Sequence, residues 1–231
     1  DLQDIQTAFS QLVKQTKHAV IYNAKDLNTV SIIPEEDEKL AVNYARYVAS
    51  IPNLLVPGEH NRMNAAIALT VAEVLHIDIE KAIKSLQNFS GTWRRLEKKG
   101  ITKEGAIIYD DYAHHPTEIK ASLQALRELY PKGQKNITIL FQPHLYSRTK
   151  AFFKEFSESF DEADNVFLLP IYFAREKQDD SVSSEKLAEA IKLHRGEAVS
   201  FESFLSAKEL IKGMHLGSKD VFVTMGAGEA Y

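Results

Sequence analysis

The 231-residue sequence contains no cysteine, and this absence excludes several kinds of chemistry. A disulfide scaffold, a thiolate zinc site and a cysteine nucleophile all require this residue. The absence also fits a reducing compartment. Long hydrophobic runs are missing as well, because no stretch approaches the ~20 apolar residues of a membrane span. We therefore expect no membrane partner.

The sequence also lacks a large excess of charge of either sign. The 28 Lys and Arg residues and 32 Asp and Glu residues give a net charge of −4, and the sequence pI is near 6.1. A mildly acidic chain offers no global field for a polyanion, so no nucleic-acid partner is expected. Hydrophobic residues make up 44% of the chain, enough apolar surface to exclude a disordered protein.

The two ends of the sequence suggest a piece of a longer protein. Asp1 stands where an initiator methionine would be, in a segment that already predicts a helix, and Tyr231 follows closely on a predicted strand. The phosphate-loop pattern G-x-x-x-x-G-K-[ST] does not occur in the sequence. We therefore expect a fragment without the loop that holds a nucleotide triphosphate.

Hydrophobic periodicity divides the chain into two halves near residues 90–95. The first half is mainly helical, with a strand over 19–23 and helices over 2–15, about 35–50, 61–75 and 79–89. The second half alternates strands with helices. Its predicted strands are 106–110, 136–141, 165–170, 197–201 and 220–225, and its predicted helices are 116–130, 148–160, 184–194 and 203–213. This alternation predicts an α/β fold with a mostly parallel sheet and right-handed crossovers.

Four polar clusters directly follow strands of the second half. They occupy residues 111–116, 142–148, 172–176 and 226–229. Ligands of doubly wound sheets bind outside the carboxyl ends of the strands. We therefore expect the clusters to meet at one edge of the sheet and to form a binding site.

The cluster after the first of these strands has more than one interpretation. Asp110 and Asp111 are also common turn formers, and Pro116 suits the first position of a helix. His114 and His115 beside the two aspartates could bind a divalent metal, but adjacent histidines point apart and no His-x-x-x-His pair supports them. Polar recognition of a small substrate is the favoured interpretation.

Two further motifs of the second half differ in strength. Arg148 offers a bidentate fork for a carboxylate or phosphate, with an ordinary surface arginine as the alternative. Gly226 and Gly228 resemble the opening of a phosphate-binding turn. The last glycine of that fingerprint and the helix after it are absent, so a dinucleotide site is not predicted.

Two pairs of residues near the junction of the halves are candidates for nucleotide binding. Asn61 and Asn64 share one face of a predicted helix and suit the donor and acceptor edge of adenine, although one of them could be a helix cap. Arg94 and Arg95 lie where ligand sites often form, and a structural salt bridge is the alternative.

Five strings occur in an order that resembles the Mur ligases of bacterial cell-wall synthesis. They are GEHNRMNAA, GTWRRLE, DDYAHHPTE, FQPHLYSRT and GAGE. FQPHLYSRT is similar to the alanine-adding members in particular. The resemblance implies that residues 1–93 are the tail of a central ATP-binding domain. It implies that residues 94–231 form the C-terminal Rossmann-like domain.

The resemblance also implies a reaction and its participants. In the family, ATP phosphorylates the carboxylate of UDP-N-acetylmuramate, and the amine of L-alanine attacks the acyl phosphate to form an amide. ATP and Mg²⁺ would be the cofactors, with the magnesium ligands expected mainly outside this chain and no metal ligand assigned within it. The resemblance places the protein in the bacterial cytoplasm.

Site residues are carried over from the same motifs. Asn61 and Asn64 would contact adenine, while Arg95 and Asp111 would hold the ribose and phosphate side of the nucleotide. The amino-acid pocket would consist of Tyr112, His114 and Arg148, with Arg148 binding the alanine carboxylate. Some relatives carry a second arginine where this chain has Leu145, so carboxylate binding would depend on Arg148 alone.

Two other functions stay open at the level of sequence. One is a metal-dependent hydrolase with the ligand set Asp110, Asp111, His114, His115 and His144. The other is a ligand-binding module that keeps the fold without chemistry. For the ligase interpretation, we expect the chain alone to be inactive, because it lacks the phosphate loop.

Overall fold

The structure is a computed structural model that describes residues 1–33 and 41–228. The chain divides into two compact units, Asp1–Ser90 and Gly91–Tyr231. The acidic run over 35–38 and residue Glu229, both noted in the sequence, lie outside the described residues. The assignment of the first unit to a central ATP-binding domain stays a prediction.

The first unit combines helices with a two-stranded parallel sheet. Its elements are α1 (Leu2–Gln15), β1 (Val20–Tyr22), α2 (Leu27–Val30), β2 (Ala41–Asn43), a 3₁₀ helix (Tyr44–Ser50), α3 (Glu59–Val74) and α4 (Ile79–Gln87). Asp1 caps α1 by accepting a hydrogen bond from the Asp4 amide. A small core lies between α3 and the 3₁₀ helix, where Tyr44, Ala66 and Leu69 are buried.

The helix predicted over about 35–50 is wrong for residues 41–43, while residues 44–50 are helical but of the 3₁₀ type. Residues 41–43 form β2, which pairs in parallel with β1, and residues 44–50 form a 3₁₀ helix. The side chain of Asn43 accepts a hydrogen bond from the Ala45 amide and so caps this 3₁₀ helix. Pairing with a strand distant in sequence overrode the helical spacing of the apolar residues.

The second unit contains a six-stranded sheet with helices between its strands. Its strands are β3 (Glu97–Ile101), β4 (Ile107–Asp111), β5 (Asn136–Phe141), β6 (Asn165–Leu168), β7 (Val199–Ser200) and β8 (Asp220–Met225). Its helices are α5 (Pro116–Leu129), α6 (Tyr146–Ala151), α7 (Phe153–Ser157), α8 (Ser184–Arg195) and α9 (Phe204–Gly213). The strand order is β3-β4-β8-β5-β6-β7, and every pairing is parallel except that of β3 with β4. The predicted mostly parallel α/β fold is confirmed.

Two details of the second unit differ from the sequence expectation. The edge strand β3 was not predicted, because its sequence EKKGI has little apolar character and its pairing shifts register between Lys98 and Gly100. The helix expected over 148–160 is two helices, α6 and α7, separated at Phe152. Phe152 takes a non-helical conformation there and packs against the core.

The sheet buries apolar residues on both faces, as expected for parallel strands covered by helices. Ile139, Val221 and Val223 belong to one core cluster, whereas Leu140 and Phe222 belong to the other. Because β8 lies between β4 and β5, the carboxyl ends of these strands are adjacent. Within the described residues, no helix has the length and apolar character needed to cross a bilayer.

Candidate active site

The polar segments that follow β4, β5, β6 and β8 meet at one edge of the sheet, as the sequence predicted. Two backbone hydrogen bonds extend the sheet past its strands. The Gly226 amide donates to the Asp111 carbonyl at 3.0 Å, and the Gln142 amide donates to the Met225 carbonyl at 2.9 Å. The segments are therefore held side by side by backbone as well as by side chains.

Arg94 is a structural residue at the base of this site. Its Nε lies 2.7 Å from Asp110 Oδ2, and both side chains are only 3% exposed. The guanidinium also donates to the Gly226 carbonyl at 2.7 Å, and Thr224 Oγ1 donates to the other Asp110 oxygen at 2.7 Å. The structural salt bridge considered in the sequence is confirmed for Arg94, which ties β4 to the segment after β8.

Arg95, by contrast, points toward solvent. Arg94 and Leu96, its neighbours on either side, have left-handed backbone with φ of 52° and 48°. The Arg94 carbonyl accepts a hydrogen bond from the Tyr112 amide at 2.8 Å. The guanidinium carbons of Arg94 and Arg95 lie 5.2 and 5.9 Å from the centre of the Tyr112 ring. An exposed cation thus stands beside an aromatic ring at the edge of the site.

Asp111 is buried, with 3% of its surface exposed. Burial raises the pKa of its carboxyl group above 3.8. Hydrogen bonds from Ser122 and the Ala113 amide, together with the charge of Arg95, act in the opposite direction on this pKa. The hydrogen bonds and the charge of Arg95 therefore offset only part of the cost of burying the ionised Asp111 side chain, which is a hydrogen-bond acceptor.

Glu118 organises the two histidines at the start of α5. Its Oε2 accepts hydrogen bonds from the amides of His114 at 2.9 Å and His115 at 3.2 Å. The His115 ring accepts from the Thr117 amide and so caps the helix, with Pro116 at the first helical position as predicted. The His114 Nδ1 lies 2.8 Å from the Tyr112 carbonyl. His115 therefore has a structural role, while the His114 ring faces the site.

Arg148 and His144 form a pair at the start of α6. The Arg148 guanidinium donates from Nη1 to His144 Nδ1 at 3.2 Å. Partial burial and the nearby charges of Arg148 and His114 lower the pKa of His144 below 6.5, against the opposing charge of Glu176. His144 is therefore neutral at physiological pH and leaves its Nε2 proton available as a donor.

Aromatic rings connect these residues across the edge of the sheet. The centre of the His114 ring lies 5.2 Å from that of Tyr112 and 5.9 Å from that of His144. Tyr172 stacks on His144 with ring centres 5.6 Å apart and planes 17° apart. The structure thus brings together Tyr112, His114 and Arg148, the three residues of the predicted amino-acid pocket.

The segment after β6 supports this cluster from one side. The Tyr172 amide donates to the Pro143 carbonyl, and the Leu145 amide donates to the Tyr172 carbonyl, both at 2.8 Å. The Glu176 carboxylate accepts hydrogen bonds from the amide and hydroxyl of Ser147. Sequence reasoning placed this segment at the site but gave Tyr172 and Glu176 no role, since nothing in a single sequence shows which ring stacks on which.

The glycines of the GAG string are explained by close packing. A Cβ atom on Gly226, whose φ is +135°, would lie 2.6 Å from the Gln142 carbonyl oxygen. A Cβ atom on Gly228 would lie 2.1 Å from Gln142 Oε1. The contact at Gly226 is with backbone and leaves no room for a side chain, so this glycine permits the close approach of two segments of the site, whereas the contact at Gly228 is with the movable end of a side chain.

Asn61 and Asn64 lie on α3 in the first unit, whereas the residues described above belong to the second unit. The Asn61 side-chain amide donates to the Pro57 carbonyl at 2.7 Å, whereas Asn64 is exposed. This bond holds the turn before α3, where Gly58 provides no side-chain cap. Adenine contact by these residues stays a prediction.

The described residues hold no group of three or more His, Cys, Asp or Glu side chains that could bind a metal ion. Two members of the hydrolase ligand set have other partners: Asp110 pairs with Arg94, and His115 caps α5. No described residue is therefore assigned to Mg²⁺, and the location of its ligands stays a prediction.

Comparison with known proteins decides the family. A profile described as "Mur ligase, glutamate ligase domain" matches residues 94–228. The chain belongs to the Mur ligase family. A curated Mur ligase from Clostridium kluyveri, UDP-N-acetylmuramate--L-alanine ligase, is 43% identical over 179 residues, which are 78% of this chain and 38% of the relative. The protein of the same name from Clostridium perfringens is 35% identical over 90% of this chain and 42% of its own. The chain thus spans less than half the length of these relatives.

Two solved structures share the fold. The UDP-N-acetylmuramate-alanine ligase of Thermotoga maritima matches with a TM-score of 0.73 and 23% identity, over 100% of this chain and 53% of that one. A Mycobacterium tuberculosis folylpolyglutamate synthase complexed with ADP matches with a TM-score of 0.69 and 13% identity, over 98% and 57%. At these identities the likeness concerns the fold.

Proposed function

We propose that the chain is the C-terminal part of an ATP-dependent ligase that joins L-alanine to UDP-N-acetylmuramate. The observation that carries the proposal is the Arg148–His144 pair beside His114 and Tyr112, at the carboxyl ends of parallel strands. Relatives that are 43% and 44% identical to the chain bear the name of this ligase, which supports the same assignment. A cytoplasmic location in bacteria accords with that name.

The geometry suits the two charged ends of a small amino acid. Arg148 and the Nε2 proton of His144 are donors for a carboxylate. The His114 Nδ1 faces a backbone carbonyl, so in the neutral ring Nδ1 carries the proton and Nε2 is an acceptor. His114 thus offers an acceptor for an ammonium group, and Arg148 and His144 offer donors for a carboxylate. The two histidine ring centres lie 5.9 Å apart, so the site complements an ammonium and a carboxylate carried by one carbon atom.

The proposed reaction needs oriented substrates more than an activated protein nucleophile. The ligase transfers the γ-phosphoryl group of ATP to the muramate carboxylate, with release of ADP. The alanine ammonium first loses one proton to water and becomes the amine, whose nitrogen attacks the acyl carbon. The carbon–oxygen bond to phosphate then breaks with release of inorganic phosphate, and the nitrogen loses a second proton. In this proposal, His114 Nε2 accepts that proton, while Arg148 and His144 hold the alanine carboxylate.

The nucleotide side of the proposal depends on Arg95 and Asp111. Arg95 is an exposed cation beside the Tyr112 ring, and Asp111, the residue before Tyr112, is a buried acceptor. These groups suit the phosphates and the ribose hydroxyls of ATP, respectively. ATP supplies the activated phosphoryl group, and Asn61 and Asn64 would contact its adenine.

Steady-state kinetics of the full-length protein test the function. We expect alanine-dependent release of phosphate from ATP in the presence of UDP-N-acetylmuramate. Arg148→Ala removes the charged fork, and loss of a charge-assisted pair of this kind raises KM for alanine about 10- to 100-fold, at 1.4 kcal/mol per factor of ten. Lys154→Ala on α7 is the matched control and keeps wild-type kinetics, because this exposed side chain pairs with Glu158 on the surface.

Two results would overturn the proposal. A full-length protein that turns over ATP with no dependence on alanine has a different acceptor. Unchanged KM and kcat for alanine in Arg148→Ala would remove Arg148 from the pocket. The separated 231-residue chain is expected to show no turnover, and alanine-dependent ATP hydrolysis by it alone would contradict that expectation.

A further inference from the structure

The Tyr172 ring contacts the imidazole of His144, and that imidazole accepts a hydrogen bond from Arg148. It stacks on His144 with ring centres 5.6 Å apart, and the stack is nearly parallel at 17°. Tyr172 and His144 also form an isolated parallel bridge between their segments. Both the ring and the backbone of Tyr172 therefore fix His144 in place.

This contact reaches the amino-acid pocket through a short chain of bonds. Arg148 donates to His144 Nδ1 at 3.2 Å, so the direction of its guanidinium depends on the plane of the imidazole. That plane depends in turn on the ring that covers it. A second contact fixes the backbone, because Glu176 accepts from the amide and hydroxyl of Ser147, the residue before Arg148.

We propose that Tyr172 is a positioning residue for amino-acid binding, acting on Arg148 through the stacked His144 ring. The inference rests on the proposed function for its substrate, and on the geometry alone for its effect on His144. Tyr172 does not contact the residues proposed to bind the nucleotide. Among the described residues, Arg95 lies beside Tyr112 and Asp111 accepts a hydrogen bond from the Ala113 amide, and neither contacts Tyr172 through a ring or a hydrogen bond.

The aromatic character of residue 172 is what the proposed role requires. Tyr172→Phe keeps the flat ring, and its properties should stay close to those of the wild type. Tyr172→Ala removes the ring and leaves one face of His144 open to water. Phe173→Ala is the matched control, since Phe173 is 55% exposed and stacks on the outer side of Tyr172 rather than on His144.

The first measurement is the pH titration of the His144 ring by NMR on the 231-residue chain, assigned by the loss of its signal in His144→Gln. Burial is the largest cause that lowers the His144 pKa. We therefore expect this pKa to move up toward 6.5 in Tyr172→Ala and to stay in place in Tyr172→Phe and Phe173→Ala. An unchanged His144 pKa in a folded Tyr172→Ala chain would overturn the inference.

The second measurement is kinetic and uses the full-length protein. A misplacement of about 1 Å in a binding group costs up to ~100-fold, so we expect Tyr172→Ala to raise KM for alanine at least 10-fold. We expect KM for ATP to stay within twofold of the wild-type value. A variant that only destabilised the fold would not produce this selective effect on alanine. Tyr172→Leu, which keeps apolar volume but not a flat ring, repeats the test if Tyr172→Ala unfolds.

The two measurements separate this inference from the proposed function. A wild-type protein without alanine-dependent turnover refutes the function, while the His144 titration still decides whether Tyr172 controls the imidazole. Conversely, wild-type turnover with an alanine KM unaffected by Tyr172→Ala and Tyr172→Leu refutes the positioning role alone.

Discussion

The guanidinium of Arg94 and the carboxylate of Asp110 form a buried ion pair 2.7 Å long that joins two segments of the candidate site. Arg94 also binds the Gly226 carbonyl, and its own carbonyl accepts from the Tyr112 amide. The Arg94 side chain thus connects its own segment to strand β4 and to the segment that follows β8. The neighbouring Arg95 side chain faces solvent, while these bonds hold the Arg94 side chain in the interior.

Removal of Arg94 tests the importance of this pair for stability. Arg94→Ala leaves Asp110 buried without its counter-ion, which costs about 3–5 kcal/mol in the free energy of unfolding. Arg94→Met combined with Asp110→Asn leaves no buried charge and should recover much of that loss, because Thr224 can still donate to residue 110. Urea unfolding followed by the fluorescence of Trp93, the single tryptophan of the sequence, measures both. Equal losses in the two variants would contradict this account.

Asp111→Asn is expected to stabilise the fold while it weakens nucleotide binding. The pKa of Asp111 is raised by burial, so its ionised form lowers stability at all pH values above that pKa. The asparagine avoids this cost and should raise Tm at pH 7. The gain should shrink as pH falls through the folded-state pKa and vanish below 3.8, where the aspartate is protonated in both the folded and the unfolded state. Thermal unfolding at several pH values checks the prediction, and a lower Tm at pH 7 would show that the carboxylate is compensated.

Gly226→Ala is predicted to destabilise the edge of the sheet. Its Cβ would lie 2.6 Å from a backbone oxygen of Gln142, and φ of +135° is strained for alanine. Overpacking and backbone strain of this kind each cost about 1–3 kcal/mol. Gly213→Ala is the control, because nothing lies within 4 Å of its Cβ position and it ends helix α9. Chemical denaturation compares the two, and similar stabilities would contradict the packing argument.

Alanine affinity should fall in acid through the protonation of His144. The pKa of His144 lies below 6.5, so the imidazole accepts the Arg148 hydrogen bond throughout the neutral range. As pH falls through that pKa, Nδ1 gains a proton and the two cations repel each other, with His114 nearby and Glu176 as the facing carboxylate. Calorimetry with L-alanine between pH 5 and 8 measures the effect. His144→Gln should abolish it, and a decline centred above 6.5 in the wild type would point to another group.

The parallel fold of the second unit followed from local patterns that tertiary contacts reinforced. The runs 136–141 and 220–225 are apolar enough to be central strands, and both form strands with those bounds. The strand EKKGI was not predictable in the same way, since an exposed edge strand needs no apolar alternation. The first unit shows the opposite case, where β2 exists because β1 is available to pair with it.

The sequence by itself determined which residue types collect after the strands, because strand ends and helix starts are encoded locally in apolar runs, Pro116 and Glu118. It also determined the family through the order of its motifs. Only the tertiary structure decided the partners: Arg94 is buried on Asp110 while Arg95 is exposed, and Tyr172 stacks on His144. Those choices depend on burial and on contacts between segments far apart in the chain, which no local pattern specifies.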